Sequence, residues 1–230
     1  MAKTNSNQGG KVNPSAPQFF VDTKKSEINE LKIQMQKFFT EKDIKKQREI
    51  IKKVIAAMTI GIDVSALFNE IVKASRTQDL IIKKMIYFYL TNYARHNQES
   101  AIMAINTFLT DYKPENNFKI RGLALRTLTS LQFPDSLQYI QKCIREGLKD
   151  LDPYIRKTAV ISCIKLFRLA PKLEENKDLI DTLYHLIRDT DTLVVISSIN
   201  SLNEILESEG GIAISRKMIV YLLNRFKEFT

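Results

Sequence analysis

Side chains able to do chemistry are sparse in this sequence. Its two histidines, His96 and His185, fall in different predicted helical units, so neither completes a local pattern of nucleophile and base. Cys143 and Cys163 lie on predicted helices without metal-ligand spacing and read as buried thiols of a reducing compartment. Gly210-Gly211 lacks the preceding strand and following lysine of a phosphate loop. These residues predict no catalytic, cofactor or metal site, hence a protein that is not an enzyme. Positive charge is what the sequence concentrates. The formal net charge is +9, and Lys24, Lys25, Lys45, Lys46, Arg48, Lys52 and Lys53 crowd into one short stretch. A charge run of this kind is either a solvated face or an anion-binding one, and both readings stay open. Each lysine close to an anionic bilayer contributes about 1 kcal/mol, so four or five would suffice for peripheral binding.

These residues must be positioned by helices, and the helices repeat. Asp152-Pro-Tyr-Ile-Arg156 opens one unit, and Asp79, Asn117 and Asp191 open three related ones. Each begins with an Asp or Asn whose side chain can accept the orphan amide hydrogens of a first helical turn. Pro153 suits the first helical position, where its missing donor is not needed. The starts at 79, 117, 152 and 191 are separated by 38, 35 and 39 residues, close to the spacing of HEAT and armadillo repeats. The expected fold is all-α: a right-handed alpha-solenoid of HEAT/armadillo-like helical pairs. The helix after Asp152 is apolar most of the way round, with Lys157, Lys165 and Arg168 as its charged wedge, and is expected to be enclosed by neighbours. Arg156 sits within the apolar face. It reads as a cation tying one repeat to the next rather than as a ligand contact, and Arg121 and Lys83 hold the same place in their own units. Position 195 is Val, where this ladder stops or changes.

Taken in order, residues 1–18 are polar with almost nothing to bury and are expected to be a disordered tail. The solenoid is expected over 19–230. Phe19-Phe20-Val21 reads as an apolar plug ahead of a helix capped by Ser26, followed by a helix over 41–59. Gly61 and Asp63 mark a turn. The helix from Asp79 is rich in aromatics, which suit core packing better than base stacking, and His96 closes it. A helix over 99–109 follows, then units punctuated by Pro134-Asp135 and the polar linker from Pro171. No apolar run reaches the ~18 residues of a spanning helix. The last helix, from Ser215, keeps Ile219, Leu222, Leu223 and Phe226 apolar instead of closing with the polar face of a capping repeat. A solenoid truncated at the C-terminus is the expectation.

Lys52-Lys-Val-Ile-Ala-Ala-Met-Thr-Ile-Gly-Ile-Asp-Val-Ser-Ala-Leu-Phe68, Lys83-Lys-Met-Ile-Tyr-Phe-Tyr-Leu-Thr-Asn-Tyr-Ala94, Ala101-Ile-Met-Ala-Ile-Asn-Thr-Phe108 and Asp152-Pro-Tyr-Ile-Arg-Lys-Thr-Ala159 follow one another in an order and spacing that resemble the trunk of a beta-adaptin. This is the beta-type large subunit of heterotetrameric vesicle-coat adaptors. Gly122-Leu-Ala-Leu-Arg126, Tyr139-Ile-Gln141 and the stretch from Leu202 to Gly211 lean toward the fourth adaptor complex, whereas Lys24-Lys25-Ser-Glu-Ile28 is closer to the clathrin-associated members.

The resemblance implies a non-catalytic solenoid without cofactors, acting in cargo sorting and intracellular protein transport. Its implied partners are a second large adaptin, a medium and a small subunit, a phosphoinositide-bearing membrane and an Arf-type GTPase. It implies a cytoplasmic protein, peripheral on trans-Golgi, endosomal or coated-vesicle membranes. The seven basic residues from Lys24 to Lys53 resemble the membrane-facing region of the family. Phe19 and Phe20 match an aromatic pair that covers a cargo pocket. Ile102 and Ile105 match the GTPase-docking helix, although both also suit a core stripe. The competing reading is a free HEAT-type module for an acidic peptide or nucleic acid. Nucleic acid is not expected, because it favours cations spread along successive inner helices, whereas these concentrate near the N-terminus.

Overall fold

The computed structural model describes residues 18–94, 98–131, 136–170 and 176–225, with the side chains of 18–25 and 98 outside that description. All regular structure among the described residues is helical, and the chain divides into two compact units, 1–67 and 68–230. His96, the turn at Pro134 and Asp135, most of the linker from Pro171, and all but the last residue of the expected tail lie outside the described residues.

In the first unit, α1 (Gln18–Thr40) packs against α2 (Ile44–Thr59). The start of α1 differs from expectation. Phe19, Phe20 and Ser26 belong to the helix, and Ser26 is no cap. No Gly or Pro interrupts Gln18 to Thr40, and good helix formers such as Glu, Lys, Gln and Leu fill the run, so nothing there forces a later start. Leu31, Met35 and Phe38 are its buried positions, one helical stripe. The side chain of Asp43 accepts the Lys45 amide at 2.8 Å and starts α2. Gln47 fastens the two helices by donating to the carbonyl oxygens of Phe38 and Glu41 at 3.3 and 2.9 Å. Gly61 at φ 86° takes the left-handed backbone that ends α2.

The second unit holds α3 (Phe68–Ala74), α4 (Leu80–Tyr93), α5 (Gln98–Tyr112), α6 (Phe118–Leu128), α7 (Leu137–Gly147), α8 (Pro153–Leu169), α9 (Lys177–Leu186), α10 (Thr192–Ile205) and α11 (Arg216–Asn224). Asp79, Asn117, Asp152 and Asp191 each cap their helix through the side chain. The inner helices α4, α6, α8 and α10 pack on one another in sequence, while α5, α7 and α9 lie against α6, α8 and α10. This is a solenoid of helical pairs. Close approach of α6 and α8 depends on Gly122, since a Cβ there would lie 2.2 Å from the Tyr154 ring. One expectation about α8 is corrected. The helix is not enclosed all round, because Ile161 is 41 % exposed; α6, α7 and α10 cover three sides and leave a fourth open. The terminal α11 buries none of its residues.

Candidate functional site

Two sets of cations invite a functional reading, and their surroundings differ. On α2, advancing 100° per residue places Lys45, Lys46, Arg48, Lys52 and Lys53 on one face, opposite the buried Ile51 and Val54. The four lysines are exposed and Arg48 is half-buried. Lys52 reaches Glu49 at 2.7 Å, and Lys46 lies 3.8 Å from Glu41. Neither pair removes its lysine from solvent. Lys24 and Lys25 are in α1, but their side chains lie outside the described residues, as do those of Phe19 and Phe20.

The second set belongs to the inner helices, and each member finds an aspartate far along the chain. The Lys83 ammonium, fully buried, donates to Asp111 at 2.6 Å and to the Ser75 carbonyl at 2.7 Å. The Tyr87 hydroxyl donates to the same carboxylate oxygen. Burial pushes the Tyr87 phenol far above its ordinary range, and the charge of Asp111 adds to the shift. Arg121 pairs with Asp150 through its guanidinium and donates from Nε to the Tyr112 carbonyl at 3.4 Å. Arg156 holds Asp189 in a fork, with Nε to Oδ2 at 2.7 Å and Nη2 to Oδ1 at 2.8 Å. Its Nη1 also donates to the carbonyls of Asp150 and Leu151, both at 2.9 Å. Burial opposes ionisation of Asp189, but the Arg156 fork and the Asp191 amide outweigh it and hold the carboxyl below its usual range.

Where Val195 lacks a cation, another element supplies one. Arg225, at the end of α11, donates from its guanidinium to the carbonyls of Asp189 and Thr190 at 2.6 and 3.1 Å. These carbonyls correspond to the pair that Arg156 grips one loop earlier. The loops also share an Asp-x-Asp turn. Asp150 and Asp189 each accept the amide two residues on, that of Asp152 at 2.9 Å and of Asp191 at 2.8 Å. The acceptors Asp111, Asp150 and Asp189 were not singled out by sequence reasoning. For Asp150 and Asp189 a signal was present, an aspartate two positions before each capping aspartate.

Ile102 and Ile105 are separated by the fold. Ile102 is 50 % exposed on α5, whereas Ile105 is 5 % exposed and packs in the core with Ala101, Ala104 and Phe108. Burial removes Ile105 from any docking surface; only Ile102 remains available. Cys143 and Cys163 are free and buried, and burial pushes both thiols up to about 12. His185 is exposed near the end of α9. A cavity of about 510 Å³ lies beside Tyr112, Arg121, Tyr139 and Lys142, but its acids Glu146 and Asp150 offset its cations.

Residues 27–230 match the adaptin N-terminal region. Among relatives, AP-4 complex subunit beta-1 of Mus musculus is 39 % identical over 201 residues, covering 87 % of this chain and 27 % of that protein. AP-1 complex subunit beta-1 of Homo sapiens is 43 % identical over 190 residues, covering 83 % and 20 %. Beta-adaptin-like protein A of Arabidopsis thaliana is 39 % identical over 220 residues, covering 89 % and 26 %. The chain thus spans about a quarter of the length of these relatives. An engineered protein of known crystal structure superposes with a TM-score of 0.51 at 15 % identity, over 84 % of this chain and 89 % of that one, a likeness of fold.

Proposed function

The chain belongs to the adaptin family, and from that membership we propose that it serves as part of a non-enzymatic beta-type subunit of a vesicle-coat adaptor complex in intracellular protein transport. The observation that carries this reading is the match across 27–230 to the adaptin N-terminal region, with beta subunits of two adaptor complexes among the relatives. The packed helical pairs are the proposed docking surface for a second large adaptin, a medium subunit and a small subunit. Affinity purification of the full-length product, followed by mass spectrometry of what accompanies it, tests the reading. Recovery of another adaptin with a medium and a small subunit is expected; recovery of none of them overturns it.

The membrane contact is proposed at the exposed face of α2, aided by Lys24 and Lys25, on phosphoinositide-bearing membranes of trans-Golgi, endosomal or coated-vesicle origin. Support comes from the four exposed lysines on one side of a single helix. At about 1 kcal/mol per lysine, Lys45→Glu, Lys52→Glu and Lys53→Glu together should abolish flotation with phosphatidylinositol-phosphate vesicles. Unchanged flotation removes the proposal. Phe19 and Phe20 are proposed to cover a cargo pocket in the closed complex, and their deletion should raise cargo affinity. Ile102 is proposed as a contact for an Arf-type GTPase. Ile102→Asp should lose a GTP-dependent pull-down while keeping its helical circular dichroism, since Ile102 is half exposed. Among the described residues no helix is long and apolar enough to cross a membrane.

A further inference from the structure

The inner helices of the second unit carry a charge imbalance that the ladder does not absorb. No Asp or Glu occurs in α4, α6 or α8. Of their cations, Lys83, Arg121 and Arg156 are paired with aspartates, and Arg168 pairs with Glu204 of α10. Arg126 and Lys165 have no carboxylate partner among the described residues, and the Lys165 side chain reaches from α8 to the turn that follows α6. The Lys165 ammonium donates to the Ser130 hydroxyl at 2.7 Å, and that hydroxyl donates to the Arg126 carbonyl at 2.9 Å. Burial lowers the Lys165 pKa, and the nearby Arg126 charge lowers it further. Two like charges are therefore held together on a partly desolvated surface, an arrangement that an incoming anion relieves.

The residues around this pair fall into register. Counting five positions on from the ladder position of each inner helix gives Phe88, Arg126, Ile161 and Asn200, all exposed. Phe88 is 55 % exposed and Ile161 is 41 % exposed, so an apolar side chain flanks Arg126 on each side. Lys157 and Lys165 stand one turn before and after Ile161 on the same face of α8. On α10 the positive strip ends in Asn200 and Glu204.

We propose that the exposed strip Phe88, Arg126, Ile161, together with Lys157 and Lys165, is a docking surface for an extended acidic peptide segment that carries apolar residues beside its carboxylates. Neighbouring helices lie about 8–10 Å apart, and an extended chain advances about 3.3 Å per residue. A segment of about seven residues therefore crosses α4, α6 and α8, with carboxylates over Arg126 and Lys165 and apolar side chains on Phe88 and Ile161. The exposed apolar residues and the short length of the strip favour a peptide over a polyanion such as nucleic acid, which draws on a longer cationic track. This surface uses none of the residues of the α2 face and stands independently of the proposed membrane contact.

The test is fluorescence anisotropy on the full chain with a fluorescein-labelled heptapeptide bearing leucine at each end and three central glutamates. Its twin with glutamine in place of glutamate should bind at least about tenfold more weakly, the scale of a lost charge-assisted hydrogen bond. Arg126→Glu with Lys165→Glu should weaken the glutamate peptide by about tenfold or more, and Phe88→Ser should weaken both peptides. Arg126→Gln, an exposed and milder change, guards against loss of fold, which thermal melting followed by circular dichroism would reveal. Lys45→Glu with Lys53→Glu should leave peptide binding unchanged. Equal affinity for the two peptides, or for the parent and the doubly reversed chain, overturns the proposal. Displacement of the peptide by a single-stranded oligonucleotide or by anionic vesicles at lower concentration than unlabelled peptide also overturns it, in favour of a polyanion surface.

Discussion

Lys52 and Lys83 are the same residue type on helices of one chain, yet they do opposite work. Lys52 stands in solvent with Glu49 one turn away, a pairing that gains little because water already solvates both charges. Lys83 is 0 % exposed and spends its donors on Asp111 and the Ser75 carbonyl. The difference teaches that a lysine in this fold is read through its acceptor. A buried cation with committed acceptors far along the chain holds helices together, and one exposed on a helix face stays open to solvent and to whatever docks there.

The sharpest way to break the contrast is Asp111→Ala. It strands the Lys83 charge in the core and should cost about 4 kcal/mol in urea unfolding; a loss near that of a surface substitution would show that Lys83 does not depend on its aspartate. Next in size is Gly122→Ala, which tests shape in place of charge. The added Cβ would meet the Tyr154 ring, and about 2 kcal/mol should be lost to overpacking, with Tyr154→Ala in the same chain recovering part of it. Smaller is the acid response of Asp189. Its carboxyl is held below the unfolded value by Arg156, so its stabilisation is complete above about pH 3.9 and disappears as pH falls through the lower folded value. Asp189→Asn should therefore be less stable at neutral pH and show a flatter loss of stability below about pH 4 in acid titrations. Smallest is Lys52→Ala, expected to change stability by no more than about 0.5 kcal/mol. A larger effect there would erase the distinction between the two kinds of lysine.

Legibility in the sequence tracks how local the cause is. Asp79, Asn117, Asp152 and Asp191 announce their helices because capping involves a side chain and the amides of the next turn. The period of these starts is enough to expect paired helices. Ladder cations are recognisable by place, but their acceptors lie 28, 29 and 33 residues away, and no short motif joins them. Ile102 and Ile105 look alike because both continue an apolar pattern; packing of α5 buries one and leaves the other in solvent. Openness of α8 at Ile161 is of the same kind. Its composition describes an enclosed helix, and only the count of neighbours reveals an uncovered side.

Arg225 gives the ladder a consequence for motion. By gripping the carbonyls of Asp189 and Thr190, it ties the end of α11 to the loop that also receives Arg156. In stacked pairs, stability passes only between neighbours, and here each loop lends hydrogen-bond partners to the element after it as well as to the one before. Opening one loop withdraws partners from both sides. Amide hydrogens at the starts of α8 and α10 should then exchange through shared openings with a common free energy, instead of fraying separately. A partner that clamps either end would slow exchange at the other, so that the row of ion pairs behaves as a mechanical linkage.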